Sequence, residues 1–147
     1  MIIIELFTLT RLRINIYKIH IDMVILLLVS NKRNFISTVS EYSEKAEIYR
    51  ANSGKEALDM IADKTINLVI TDESLGDMTG FEFAKKLISI NPMVHCAVVS
   101  SLSSEDYHET SEGLGLMMQL PVQLEKRHIE QLLFQVNKII QMTGSSN

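Results

Sequence analysis

Residues 68–80 of this chain read Leu-Val-Ile-Thr-Asp-Glu-Ser-Leu-Gly-Asp-Met-Thr-Gly, an apolar run that ends in one acid and a glycine-punctuated loop. Such a run of β-branched and aliphatic residues is typical of a strand buried on both faces, as in parallel sheets covered by helices. Ligands of these sheets bind outside the carboxyl ends of the strands. Asp72 falls at that position, so it is the first candidate for a functional residue.

Strand-like and helix-like segments alternate on both sides of this stretch, from Met23 to Met142, at intervals typical of βα units. The predicted strands are Val24 to Val29, Ala46 to Arg50, Ile66 to Thr71, His95 to Ser100 and Leu116 to Leu120. The last helix has apolar residues three or four positions apart and is expected to end near Met142. We therefore predict one domain over 23–142, with a disordered tail at 143–147.

The residue pattern also locates helix starts and buried helix faces. Capping boxes, in which two side chains satisfy each other's unpaired backbone amides, are predicted for Ser53 with Glu56 and for Thr79 with Glu82. The faces expected to pack on the sheet are Ala57, Leu58, Ile61 and Ala62 in one helix, and Phe81, Ala84, Leu87 and Ile88 in the next. Segment 103–113 has only Tyr107 as a large apolar residue, so it is either a weakly anchored switching helix or simply a solvated one.

Composition limits the classes of function. The 147 residues are 46% hydrophobic and 22% charged, which is typical of a globular domain. The formal net charge of −4 and the absence of a basic stripe give no electrostatic reason to expect nucleic acid as a partner. The single cysteine, Cys96, excludes an intramolecular disulfide and lies in an apolar stretch, so we expect a buried thiol and a cytoplasmic location.

Residues 1–22 differ from the rest of the chain. Charged residues, including Glu5, Arg11, Arg13 and Lys18, interrupt any apolar span long enough to cross a bilayer, so no membrane anchor is expected. Two interpretations stay open. Either this extension is a mis-called start and translation begins at Met23, or it is an extra strand or helix that covers an edge of the sheet.

Taken together, these patterns resemble the receiver domain of bacterial response regulators over nearly all of Met23 to Met142. The most specific block is Asp72 through Gly80, which resembles the phosphoacceptor loop of that family. Further support comes from Ser53-Gly-Lys-Glu-Ala-Leu, Val98-Val99-Ser100-Ser101, Gly113 to Gly115, and Pro121. The resemblance implies an α/β, flavodoxin-like fold, with a doubly wound five-stranded parallel sheet in the order 2-1-3-4-5, five helices, and the site at the topological switch point.

The resemblance also implies a chemistry. In the family, an aspartate attacks a phosphoryl group from a histidine kinase, and a divalent cation neutralises the charge that gathers. Asp72 occupies the phosphoacceptor position, and Ser100 keeps the hydroxyl that contacts the phosphoryl group. The other pocket and switch positions fall on Ser101, Met117, Leu120 and Pro121.

The metal site of the family is degraded in this sequence. Ser30 and Asn31 replace the two acids that follow the first strand. Mg2+ would then have Asp72, Asn31 and Ser74 as its candidate ligands. Neutral oxygens are poor replacements for carboxylates around this hard ion, so we expect Mg2+ binding to be weak and no other cofactor to be bound.

Other departures affect the charge of the pocket. Leu120 stands in the place of the family's lysine, Met117 replaces the switch aromatic, and Gly76 replaces the usual proline. Of the matched charged groups only Asp72 remains, so the pocket without metal sums to −1 and an added phosphoryl group would be poorly compensated. Lys32 could serve as a substitute cation, although a solvated surface lysine is the expected default.

Three functional hypotheses follow. The first is a degenerate receiver that is not an enzyme and acts by binding a protein partner with little or no phosphorylation. The second is a receiver in which Asp72 still accepts a phosphoryl group, but slowly. The third and weaker hypothesis is a flavodoxin-like small-molecule binder. The resemblance implies that the partner, a histidine kinase or another signalling protein, or a second copy of the chain, contacts helix four, strand five and helix five. Tyr107 and Met118 are candidates for that face.

Overall fold

The alternation of apolar runs with capped, amphipathic segments produces a sheet whose strands are joined by helices. The computed structural model describes residues 23–42 and 46–144. Within them the strands are β1 (Val24–Val29), β2 (Ala46–Ala51), β3 (Leu68–Thr71), β4 (His95–Val99) and β5 (Gln119–Leu120). The helices are α1 (Arg33–Tyr42), α2 (Gly54–Asp63), α3 (Gly80–Ile90), α4 (Ser104–Ser111) and α5 (Lys126–Gly144).

All paired strands are parallel, in the order β2-β1-β3-β4-β5. The predicted doubly wound fold is therefore confirmed. From β1 the chain first adds β2 on one side of the sheet and then adds β3, β4 and β5 on the other side. The carboxyl ends of β1 and β3 therefore form the topological switch point. Val29 pairs with Thr71 in the register of β1 and β3, which brings the loops after these strands together.

Helices cover both faces of the sheet, and β1 contributes to the two apolar layers in alternation. Leu27 and Val29 belong to one buried cluster, and Leu26 and Leu28 belong to the other. The first layer includes buried residues of α2 and α3, namely Ala57, Ile61, Phe83, Ala84 and Leu87. The second includes buried residues of α1 and α5, namely Val39, Ile129, Leu132, Leu133 and Val136. The site therefore rests on a sheet that is held from both sides.

Several predicted boundaries need correction. Strand β3 begins at Leu68 rather than Ile66, because the Asn67 side chain accepts the Ile25 amide at 2.8 Å in place of a backbone carbonyl. Strand β5 begins at Gln119 rather than Leu116, after a segment in which Gly115 has a φ of 62°. Helix α5 continues to Gly144, two residues past the expected end near Met142, while 145–147 of the predicted tail lie outside the described residues.

Two predicted helix faces are also partly wrong. Ala62 is exposed, and in α3 the fully buried ring is Phe83 rather than Phe81, which is half-buried. The capping box of Thr79 and Glu82 is complete. That of Ser53 is not, because Glu56 accepts a hydrogen bond from the Asn52 amide instead.

The predictions for residues 1–22 lie outside the described residues. Throughout 23–42 and 46–144, every helix is too short or too polar to span a membrane.

Candidate functional site

Asp72 follows directly on β3 and is fixed by its own backbone, since its amide donates to the Val29 carbonyl at 3.0 Å. The residue is only 3% exposed. Its Oδ1 atom accepts the Glu73 amide at 2.8 Å, and its Oδ2 atom accepts the Ser30 hydroxyl at 3.2 Å. Lys32 Nζ lies 3.2 Å from the same Oδ2 atom. Both carboxylate oxygens of Asp72 therefore have partners within the chain.

The loop after β1 brings Ser30 and Lys32 to the carboxylate. The Ser30 amide donates to the Ala51 carbonyl at 3.1 Å, which continues the pairing of β1 with β2 by one residue. The buried Ser30 hydroxyl donates to Asp72 and accepts the Lys32 amide at 3.0 Å. This turn directs Lys32 over the site, although its side chain stays 57% exposed. Lys32 therefore lies within ion-pair distance of Asp72 and still meets solvent, and its role as a substitute cation stays a prediction.

The donor set around Asp72 does not suit Mg2+. Of the three candidate ligands, Asp72, Asn31 and Ser74, only Asp72 is a carboxylate, and the other two side chains are exposed. Over 23–42 and 46–144, no three His, Cys, Asp or Glu side chains come close enough to share a metal ion. An ammonium and a hydroxyl already contact Asp72 Oδ2, so a cation there would have to displace Lys32.

The loop after β4 carries Ser100 and Ser101, which face different partners. The Ser100 amide donates to the Leu120 carbonyl at 3.0 Å, and its buried hydroxyl accepts the Leu102 amide at 3.2 Å. Ser101 binds Glu73 instead: its amide and hydroxyl donate to Glu73 Oε2 at 2.8 and 2.9 Å. The sequence pattern did not indicate this contact, because the two residues lie 28 positions apart along the chain.

The positions around β5 contribute apolar surface. Leu120 is fully buried in the layer beneath α5, and half-buried Met117 packs against the same layer. Pro121 is half-buried and follows β5 directly. These residues supply no charge or hydrogen-bonding side chain to the pocket, so Lys32 is the cation that the described structure brings to Asp72.

The glycine-containing loop after Asp72 is tied to the start of α2. The Gly54 and Lys55 amides each donate to the Asp77 carboxylate at 2.9 Å. These hydrogen bonds, chiefly that of Lys55, lower the pKa of Asp77. Gly80 is required by close approach, because a Cβ there would press against the Asp72 carbonyl oxygen.

An open cleft of about 600 Å³ lies beside the carboxylate, between the loops that follow β1 and β5. Its polar lining comes from Lys32, Arg33, Asn34, Thr38, Asp72 and Gln123, and its apolar lining from Phe35, Val99, Val122 and Leu124. Most of these positions were not predicted from the sequence, because the cleft brings together the start of α1, the end of β4 and the loop after β5, which are far apart along the chain.

The predicted partner face includes a polar atom without a partner. The Tyr107 ring lies 5.8 Å from that of Phe81, measured between centroids, and its buried hydroxyl has no hydrogen-bond partner among the described residues. Burial raises the pKa of Tyr107 to about 12, with a smaller contribution from Cys96. Met118 is half-buried. The role of both residues in partner binding stays a prediction.

Comparisons with known proteins agree with this geometry. The family model described as response regulator receiver domain matches residues 27–134. The uncharacterized transcriptional regulatory protein YesN of Bacillus subtilis is 29% identical over 93 residues, which are 63% of this chain and 24% of that protein. The chain thus spans about a quarter of the length of that relative.

Two solved structures share the fold. The chemotaxis response regulator CheY4 of Vibrio cholerae has a TM-score of 0.70 at 22% identity, over 78% of this chain and 98% of that one. A CheY-like receiver domain protein from Methanospirillum hungatei has a TM-score of 0.73 at 19% identity, over 82% and 98%.

Proposed function

Because this chain belongs to the response regulator receiver domain family, we propose that it is a degenerate receiver in phosphorelay signalling, which binds a protein partner with little or no phosphorylation of Asp72. The main support for this proposal is that Asp72 Oδ2 already has two partners within the chain. A hydroxyl and an ammonium of the same chain both lie 3.2 Å from this buried atom.

The charges support the same conclusion. Lys32 and Asp72 sum to zero, so this ion pair is neutral without any metal. Attack by the carboxylate on a phosphoryl group would replace the single negative charge of Asp72 with an acyl phosphate of roughly −1.5 to −2, and Lys32 is the cation within ion-pair distance of that point. The family resemblance implies that a divalent ion and a lysine normally neutralise this negative charge. In this chain Ser30 and Asn31 stand in place of the two acids that bind the ion, and Leu120 stands in place of the lysine.

For the partner, we propose a signalling protein such as a histidine kinase, which contacts α4, β5 and α5. A second copy of the chain is the alternative occupant of this face. Tyr107 and Met118 are the residues that we assign to it. No nucleic acid is proposed, since the chain carries a formal net charge of −4.

One observation favours a second candidate function, a receiver that is slowly phosphorylated. Asp72 and Ser100 are both retained, and both are buried at the carboxyl ends of neighbouring strands. Lys32 would then act as the substitute cation for the transferring group. The cleft beside Asp72 leaves room for a donor, and it would equally hold the ligand of a small-molecule binder.

Intact mass measurement separates these functions. The protein is incubated with a small acyl-phosphate donor, with and without Mg2+, beside an Asp72→Asn control and a phosphorylatable receiver. We expect no adduct on the wild-type chain when the reference receiver labels fully. An adduct that requires both Mg2+ and Asp72 would overturn the degenerate assignment. A bound molecule in the mass of the purified native protein would indicate the small-molecule binder.

A restoring variant makes the test sharper. Ser30→Asp combined with Asn31→Asp returns two carboxylates to the end of β1, and a second variant adds Leu120→Lys. Because Leu120 is fully buried, circular dichroism must first show that this variant folds. We expect a restored variant to be phosphorylated, and only when Mg2+ is present. That result would show that the wild-type chain is not phosphorylated because it lacks the two acids and the lysine.

A further inference from the structure

Helix α4 has few contacts to hold it in place. None of its eight described residues is buried, and Tyr107 alone packs an aromatic ring, against Phe81. Ser103 caps its start by accepting the Asp106 amide at 3.1 Å, a contact local to the helix. The position of α4 on the domain therefore depends on the loop that leads into it, Ser100 to Ser103, here called the β4–α4 loop.

Glu73 is the charged group that holds this loop. Its Oε2 atom accepts both the amide and the hydroxyl of Ser101, at 2.8 and 2.9 Å. A second attachment comes from Gln119 Nε2, which donates to the carbonyls of Leu102 at 2.9 Å and Ser100 at 3.4 Å. A third is the hydrogen bond from the Ser100 amide to the Leu120 carbonyl. Hydrogen bonds to an ionised acceptor are stronger than those between neutral groups, so Glu73 contributes the strongest of these attachments.

The backbone of Glu73 is itself fixed. Its amide donates to Asp72 Oδ1 at 2.8 Å, and its carbonyl accepts the Gly80 amide at 3.0 Å. The side chain thus extends from a rigid point at the end of β3 toward the loop after β4. Because this backbone is already fixed, only the side-chain torsions of Glu73 must be ordered for it to hold the loop.

We propose that Glu73 is a positioning residue, a carboxylate latch that holds the β4–α4 loop and α4 in one arrangement. Loss of its contacts loosens the loop and α4 while the rest of the domain keeps its order. The inference rests on the proposed function only in treating α4 as part of the partner face; the latch itself is a property of the isolated chain.

The Tyr107 hydroxyl is a reason why α4 needs to be held. A buried hydroxyl without a partner is unfavourable, and movement of α4 would return it to water. Gly113 and Gly115, which follow α4 and have φ values of 78° and 62°, supply backbone turns at its far end. The Glu73 contacts therefore oppose the tendency of the unpaired Tyr107 hydroxyl to draw α4 toward water.

Hydrogen exchange measured by mass spectrometry on the full-length protein tests the latch. We expect Glu73→Ala to speed exchange in peptides covering 101–111 by about 3- to 10-fold, the factor for losing one or two ordinary hydrogen bonds. Peptides from β1 and α5 should exchange as in the wild type. Ser101→Ala, which removes the hydroxyl and keeps the backbone amide, should give a smaller increase in the exchange rate. Asp59→Ala on α2 is the control, because it also removes a surface carboxylate and should leave exchange over 101–111 unchanged.

Unchanged exchange over 101–111 in a folded Glu73→Ala variant would overturn the proposal. If that variant fails to fold, Glu73→Gln is used instead, because glutamine keeps the shape of the side chain and removes its charge. The Glu73→Gln substitution should also accelerate exchange in the peptides covering 101–111. No phosphodonor is present, so a failed latch leaves the proposed function standing. Conversely, labelling of Asp72 in the mass assay would reject the degenerate assignment and leave the latch intact.

Discussion

Replacing Lys32 with methionine tests whether the chain supplies its own cation to Asp72. The Asp72 side chain is 4% exposed and that of Lys32 is 57% exposed. Breaking a fully buried ion pair costs roughly 3–5 kcal/mol, whereas an exposed pair contributes roughly 0–1 kcal/mol. With one buried and one half-exposed partner, we expect Lys32→Met to lower the free energy of unfolding by about 1–2 kcal/mol.

Urea denaturation, followed by circular dichroism, measures this loss. Lys126→Met is the matched control, because Lys126 lies 3.5 Å from Glu130 and both side chains are more than half exposed. It should change the free energy of unfolding by less than about 0.5 kcal/mol. A double-mutant cycle with Asp72→Asn isolates the pair, and Lys32→Met should cost almost nothing once the carboxylate is gone.

Equal effects of Lys32→Met and Lys126→Met would refute the reasoning. Lys32 would then be an ordinary solvated lysine, and Asp72 would be an unpaired buried carboxylate, free to accept a metal. A large effect of Lys32→Met that persists in the Asp72→Asn background would also count against the pair, because the lysine would then act through packing of its alkyl chain.

Three other changes probe the core and the loop. Phe83→Ala should cost about 3–5 kcal/mol in urea unfolding because the ring is fully buried, whereas Phe134→Ala, at 70% exposure, should cost less than about 0.5 kcal/mol. Gly80→Ala should destabilise by about 1–3 kcal/mol, since its Cβ would press against the Asp72 carbonyl oxygen; an unchanged urea midpoint would contradict this. Burial raises the pKa of Cys96 to about 12, so in the native protein the thiol should stay unreactive to a thiol reagent at pH 8 and label only as the protein unfolds.

The parallel sheet could be predicted from local patterns, since β1 and β3 are continuous apolar runs and the helices between strands have recognisable caps. The errors arose where tertiary contacts override the pattern. Phe83 and Phe81 are two residues apart, so helical periodicity alone did not decide which of them faces the sheet. The structure buries Phe83 in the layer that covers β1 and β3.

The candidate site could be predicted only in part. Asp72 and Ser100 follow apolar runs, so their positions at strand ends are visible in the sequence. The orientation of Lys32 is not, because it depends on a turn in which the Ser30 hydroxyl binds both Asp72 and the Lys32 amide. The Glu73 contact is equally hidden, since it joins loops that become neighbours only when β3 and β4 pair.

The two acids at the end of β3 are satisfied in different ways, and this difference bears on how the protein would be controlled. Asp72 is neutralised by a lysine, and Glu73 by hydrogen bonds from the loop that leads to α4. On the proposed function, neither acid needs a transferred group to complete its contacts. A partner that contacts α4 would then meet a helix whose position is set by the Glu73 contacts with the loop that leads into it. A receiver of this kind responds to the concentration of its partner rather than to a phosphoryl donor.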